Sequence, residues 1–191
     1  MGKIILIRHG QTEHNVNAIY FGKLNPPLND NGISQAELAR ENIMNIHYDR
    51  IYASPLQRTF QTANIVNYLE KDIIKDTRLE EIDFGLFEGL TLNEIINKYP
   101  EGYEKMKDDW DNYNYETGES PKEMYERVVS FLKTLDFNQD NLIVSHWGPI
   151  NCIISHLLSH TLDFYWKFKV KNGSIIIIEG NLDFAYLTKF Y

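Results

Sequence analysis

A chain of 191 residues, 43% hydrophobic and 24% charged, has the length of one domain and the composition of a globular one, which excludes disorder, collagen and coiled coil as global descriptions. Its 19 Lys and Arg against 27 Asp and Glu give a formal net charge of −8, the wrong sign for a general nucleic-acid or membrane-surface binder. That charge leaves room for a small anionic ligand in a locally positive pocket, and the single cysteine, Cys152, excludes an intrachain disulfide and fits a reducing compartment.

The chain opens MGKIILIRHG. The apolar run before Arg8 is too short for a signal peptide or a membrane span. Leu6 stands where a myristoylation signal needs Ser or Thr. A soluble, cytoplasmic protein is expected. Ile4–Ile7 is a continuous apolar run, the pattern of a strand buried on both faces. After the turn residues Asn29, Asp30, Asn31 and Gly32, the apolar spacing predicts a helix over Ile33–His47. Ile51–Ala53 reads as a second short strand, Leu56–Leu69 as a helix, and Leu92–Tyr99 as a short helix closed by Pro100. Glu101–Glu119 is polar and aromatic. It reads either as a lid over a site or as a surface helix and loop with amphipathic aromatics. Lys122–Leu135 has helical spacing, Leu142–Val144 is a third buried-type strand, and Ile150–Leu158 is an apolar helix. Ser174–Ile178 and Phe184–Leu187 read as strands. This alternation predicts an α/β fold: a three-layer α/β/α sandwich around a mainly parallel sheet, one domain over 1–191 with a lid or flap around 99–120.

The ends of the three buried strands carry the chemistry. The first runs into Arg8, His9 and Gly10. The second runs into Ser54 and Pro55, with Arg58 one turn into the next helix. The third runs into Ser145, His146, Trp147 and Gly148. Ligands of open α/β sheets bind outside the carboxyl ends of the strands, so Arg8, His9, Arg58 and His146 converge at one edge. Taken singly, a strand-end His is commonly structural and a helical Arg commonly an ion pair; three strand ends with the same chemistry argue for a site. Two guanidinium groups suit phosphate oxygens, and the expected partner is a small phosphorylated metabolite.

No GxxxxGK[ST] or GxGxxG loop is present, so a nucleotide-cradling loop has no support. Cys152 lies in an apolar helix and reads as a small buried hydrophobe. His156 and His160 lie four apart on a helix but have no evident third ligand, and no metal is expected. Paired Arg beside a strand-end His suggests phosphoryl transfer to imidazole, with a general acid for the leaving alcohol. Spacing leaves Glu80, Glu81, Asp83 and Glu88 open as that acid.

At these residues the sequence resembles the histidine phosphatase superfamily, the phosphoglycerate-mutase-like group. The blocks are LIRHGQTEHN at 6–15, GKLNPPLNDNGISQA at 22–36, YASPLQRTFQTA at 52–63, LEEIDFGLFEG at 79–89 and LIVSHWG at 142–148. The resemblance implies that His9 is the nucleophile, that Arg8, Arg58 and His146 bind the phosphoryl oxygens with help from Asn15, that Gly22 contacts substrate, and that Glu81 is the proton donor. It implies neither metal nor organic cofactor. The chain lacks the long insertions of the classical mutases, which favours a phosphatase. Within the superfamily it is most similar to the α-ribazole 5′-phosphate phosphatases of cobalamin nucleotide-loop assembly. That similarity rests on IYFGKLNPPLNDNG at 19–32, on Asp109-Trp110 with Gly118-Glu119-Ser120, and on FYWKFKVKNGS at 164–174. Ile19 and Phe21 replace polar residues common in mutase-like members, and Trp147 stands where many relatives have Gly.

Overall fold

The computed structural model describes residues 2–191. In chain order its elements are β1 (Lys3–Arg8), α1 (Glu13–Val16), α2 (Asp30–Ile43), β2 (Arg50–Ala53), α3 (Gln57–Val66), β3 (Ile73–Lys75), α4 (Leu92–Lys98), α5 (Pro100–Asp108), α6 (Pro121–Leu132), β4 (Asn141–Ser145), α7 (Trp147–Ser159), β5 (Ile175–Gly180) and β6 (Ala185–Phe190). The strands form one sheet in the order β3-β2-β4-β1-β5-β6. Neighbours from β3 to β1 pair in parallel. β5 runs antiparallel to both β1 and β6.

The period of two along each strand sorts the core into two layers. Ile4 and Leu6 of β1, Ile143 of β4 and Ile176 and Ile178 of β5 face one cluster, which contains Val128 and Phe131 of α6 and Ile150 and Ile154 of α7. Ile5 and Ile7, Leu142 and Val144, and Ile175 and Ile177 face the other, with Ala39 and Ile43 of α2 and Ala63 and Val66 of α3. Helices therefore cover both faces of the sheet, as the continuous apolar runs predict. Cys152 is buried in α7. Among the described residues no helix is long and apolar enough to cross a membrane.

The boundaries differ from the periodicity where caps act. α2 begins three residues earlier than the apolar pattern, because the Asn29 side chain accepts the Gly32 N–H at 2.8 Å and turns the supposed loop into the first helical turn. α7 begins at Trp147, directly after His146. Pro100 does not merely close α4; it occupies the first turn of α5. Strand β3 and the one-turn α1, closed by a Thr12–Asn15 capping box, are too short to show periodicity.

Candidate active site

β2, β4 and β1 are adjacent and parallel, so their C-terminal ends stand side by side; Arg8 lies opposite Ser145 in the register. Arg8, His9, Asn15, Arg58 and Glu81 line one cavity of about 280 Å³, together with Phe21, Phe84 and Trp147. Four distant stretches of sequence thus meet at one mouth.

His9 is 2% exposed. Its Nδ1 lies 2.7 Å from the Gly10 carbonyl oxygen. A carbonyl only accepts, so Nδ1 carries the proton and Nε2 keeps its lone pair. Burial pushes the His9 pKa well below its ordinary 6.5, and the charges of Arg58 and Arg8 push the same way. The ring is held neutral, as a nucleophile requires. The loop is fixed from behind: Gly10 N–H donates to Thr62 Oγ1 at 3.1 Å, and a Cβ on Gly10 would stand 2.1 Å from the Gly32 carbonyl oxygen.

Arg8 donates from Nη1 to the Val170 carbonyl at 2.7 Å, while its Nε is buried with no partner among the described residues. An orphaned buried cationic donor costs free energy unless an anion comes to it. Arg58 is fully buried. It donates from Nε to His146 Nδ1 at 3.2 Å, from Nη1 to the Leu24 carbonyl at 2.8 Å and from Nη2 to the Gly22 carbonyl at 3.0 Å. Its guanidinium carbon sits 4.6 Å from the centre of the Phe21 ring. Burial lowers its pKa to about 10, which still leaves it charged at neutral pH. Three donors (Thr12 N–H, Thr12 Oγ1 and Asn172 Nδ2) converge on Asn15 Oδ1 at 3.0, 3.1 and 3.4 Å. The amide nitrogen is what Asn15 has left for a ligand.

His146 and Gly22 do not line this cavity, although the His146 ring lies edge-on to that of His9 with centroids 5.1 Å apart. Both His146 ring nitrogens are used: Nδ1 accepts from Arg58, and Nε2 donates to Ser54 Oγ at 2.9 Å. Gly22 donates its N–H to Glu88 Oε1 at 2.6 Å and gives its carbonyl to Arg58. Both bond to Arg58.

The four carboxylates left open differ in their surroundings. Glu80 pairs with Lys23 Nζ at 2.8 Å. Asp83 caps the Gly85 N–H at 2.9 Å, and Glu88 is saturated by backbone amides. Glu81 lines the cavity. Burial raises its pKa above the ordinary 4.5, against opposing hydrogen bonds from the Ile82 and Gly148 amides and the pull of both arginines. A Cβ on Gly148 would stand 2.4 Å from Glu81 Oε1 and displace the carboxylate from this position.

Glu81, Tyr20, Phe84 and Trp147 also line a second, more enclosed chamber of about 220 Å³, walled by Trp110, Tyr115, Tyr165 and Trp166. Trp110 stacks on Tyr165 at 5.4 Å and 18°, and Trp147 meets Tyr165 edge-on at 5.1 Å. The 99–120 segment contributes Met106, Lys107, Trp110 and Tyr115 to this wall, whereas Tyr113 packs beneath it on Phe87.

Sequence reasoning missed three supports. Asn172 Nδ2 also donates to the His9 carbonyl, at 3.1 Å. Arg127 holds the Glu81 carbonyl at 3.2 Å and the Arg78 carbonyl at 2.7 Å while paired with Glu119. Glu88 organises the Gly22–Leu24 turn. Only Gly173, next to Asn172, hints at a tight turn there. His156, weighed as a metal ligand, shares Nδ1 with the Tyr125 hydroxyl at 2.7 Å.

A family model described as the histidine phosphatase superfamily (branch 1) matches residues 4–190. The chain belongs to that superfamily. This histidine phosphatase is 35% identical over 182 residues to Phosphoserine phosphatase 1 of Hydrogenobacter thermophilus, covering 93% of this chain and 86% of that one. It is 34% identical over 187 residues to the adenosylcobalamin/α-ribazole phosphatase of Salmonella typhimurium, covering 93% and 92%. The crystal structure of the α-ribazole phosphatase from Shigella flexneri superposes with a TM-score of 0.91 at 29% identity, over 97% of this chain and 94% of that one.

Proposed function

We propose that this phosphatase hydrolyses phosphate monoesters without a metal, through a phosphohistidine on His9, and that its substrate is α-ribazole 5′-phosphate, released as α-ribazole. The observation that carries the chemistry is one cavity holding a neutral imidazole, the buried guanidinium of Arg58, that of Arg8 with a buried donor unpartnered among the described residues, and a carboxyl with a raised pKa.

In this reading Arg8, Arg58 and Asn15 hold the phosphoryl oxygens, and the two guanidinium charges take the place a metal would have. The His9 Nε2 lone pair attacks phosphorus. The bond to the leaving oxygen breaks, and protonated Glu81 gives that oxygen its proton. The alcohol leaves. Glu81, now a carboxylate, takes a proton from water, and the water oxygen attacks phosphorus. The P–N bond breaks and its electron pair returns to Nε2. His146 acts through Arg58, by accepting the Nε–H and orienting the guanidinium fork.

The two pKa shifts run in the directions this sequence needs. At about pH 6, where an ordinary imidazole is mostly protonated, the His9 ring is expected to remain the neutral Nδ1–H tautomer. Ring ¹⁵N chemical shifts measure this directly. A His9 half-protonated near its ordinary 6.5 would contradict the burial and charge argument.

Support for the substrate comes from the aromatic chamber beside Glu81, which suits a flat base better than a small sugar, and from the α-ribazole phosphatase relatives. Each good aromatic contact is worth about 1 kcal/mol, so two give a preference of roughly 30-fold. With chelator present, kcat/KM should favour α-ribazole 5′-phosphate over simple sugar phosphates by about that factor. Trp147→Gly should erode the preference more than it lowers basal hydrolysis. Comparable values would establish a broad-specificity phosphatase instead. Interconversion of 2- and 3-phosphoglycerate with little phosphate released would establish a mutase. Phosphoserine belongs in the same panel, because of the Hydrogenobacter relative.

A further inference from the structure

Glu88 makes an unusual set of contacts for a carboxylate that does not line the cavity. Its Oε1 accepts the N–H groups of Gly22, Lys23 and Phe84 at 2.6, 3.0 and 3.1 Å, and its Oε2 accepts that of Leu24 at 3.2 Å. Three consecutive amides of one turn therefore point at one anion, a backbone nest. The same turn gives its carbonyls to a cation: Gly22 O and Leu24 O accept from Arg58 Nη2 and Nη1 at 3.0 and 2.8 Å. The peptide units at 22 and 24 lie between a carboxylate on one side and a guanidinium on the other. The fourth amide, that of Phe84, lies on the loop that carries Glu81. Gly22 is needed at this crossing, because a Cβ there would stand 1.6 Å from the Ile82 carbonyl oxygen of that same loop.

We infer that Glu88 is a positioning residue. It fixes the turn whose carbonyls aim the Arg58 fork, and it locks that turn to the loop bearing Glu81, so that the phosphate-holding guanidinium and the acid keep one separation. This rests on the reading that Arg58 holds the phosphoryl group. An amide at position 88 keeps one acceptor oxygen but loses the charge and, whichever way it flips, sets its NH2 donor to donor against amides that Glu88 now accepts, so the turn is free to rotate its carbonyls away from Arg58.

The sign of the effect separates positioning from charge. Glu80 and Glu88 both act on Arg58 through space, favouring its charged form against the burial that dominates. Removing a negative charge near an anion site should, by charge alone, tighten anion binding. Loss of positioning should weaken it. Glu80 meets the turn only through the exposed Lys23 side chain, at Nζ, and accepts none of its backbone amides, so Glu80→Gln is the control for charge without loss of the amide nest.

The test measures inorganic phosphate and vanadate inhibition, kcat and KM for wild type, Glu88→Gln and Glu80→Gln, well below each thermal midpoint. Glu88→Gln is expected to bind both anions about tenfold more weakly and to lose about 100-fold in kcat/KM, the scale of a small misplacement of catalytic groups. Glu80→Gln should bind them as well as wild type or slightly better. Anion binding unchanged or tighter in folded Glu88→Gln would overturn the inference, as would equal effects in the two variants. Should Glu88→Gln not yield folded protein, Glu88→Asp decides the matter. It keeps the charge but is one methylene too short to span four amides, so weaker anion binding supports the inference and unchanged binding overturns it. If wild type forms no phosphohistidine, the reading of the site fails instead, which labelling of the unmutated enzyme shows separately.

Discussion

His9→Ala is expected to lose turnover by on the order of 10⁵-fold or more, the scale seen when a catalytic nucleophile is removed, and to lose all covalent labelling by substrate. Nothing else in the cavity can replace it. The two guanidinium groups have no lone pair to offer, and Glu81 is held by the amides of Ile82 and Gly148. The fold should survive. The neighbours of His9 are fixed by their own bonds: Arg8 by Val170, Gly10 by Thr62, and the His9 backbone N–H by the Ser145 carbonyl at 3.0 Å. Circular dichroism and the unfolding midpoint check that point. Substantial hydrolysis by folded His9→Ala would mean that water attacks the substrate directly.

Glu81→Gln carries the second large effect, and its size should depend on the leaving group. General acid catalysis contributes about 10²–10⁴-fold. An alkyl phosphate, whose leaving oxygen needs a proton, should lose about 10³-fold. An aryl phosphate should phosphorylate His9 at a rate much closer to wild type. Hydrolysis of the phosphoenzyme also needs Glu81, as base toward water, so the variant should show a burst with the aryl substrate followed by slow turnover. Gln keeps the shape and can still accept the Ile82 and Gly148 amides, so packing changes little. Equal losses on both substrate classes, without a burst, would show that Glu81 is not the acid.

The features legible in the sequence were those that depend on local pattern. Runs such as Ile4–Ile7 and Leu142–Val144 announce strands buried on both faces, and the residues at their C-terminal ends announce one electropositive mouth at the sheet edge. The choice of Glu81 over Glu80, Asp83 and Glu88 was not legible from spacing, because all four sit within nine residues and differ only in what the fold brings to them: Lys23, an amide, four amides or a cavity. Resemblance to the family pointed to Glu81, and of the four it is the one that lines the cavity. That His146 stands at the sheet edge was legible because it ends a strand, but its burial and its bonds to Arg58 and Ser54 depend on residues 88 and 92 positions away. Asn172 lies 163 residues from the His9 carbonyl it holds, and no periodicity signals such a contact. The same holds for the aromatic chamber, whose walls come from the 99–120 segment, the start of α7 and the stretch before β5.

The covalent intermediate is the central claim, and rapid acid-free quench of Glu81→Gln with a ³²P-labelled aryl phosphate tests it most directly. The account predicts stoichiometric label that survives base, is released by acid, maps by mass spectrometry to the peptide containing His9, and is absent from the His9→Ala, Glu81→Gln double variant. Turnover of substrate without any such label, or label on another residue, would contradict it.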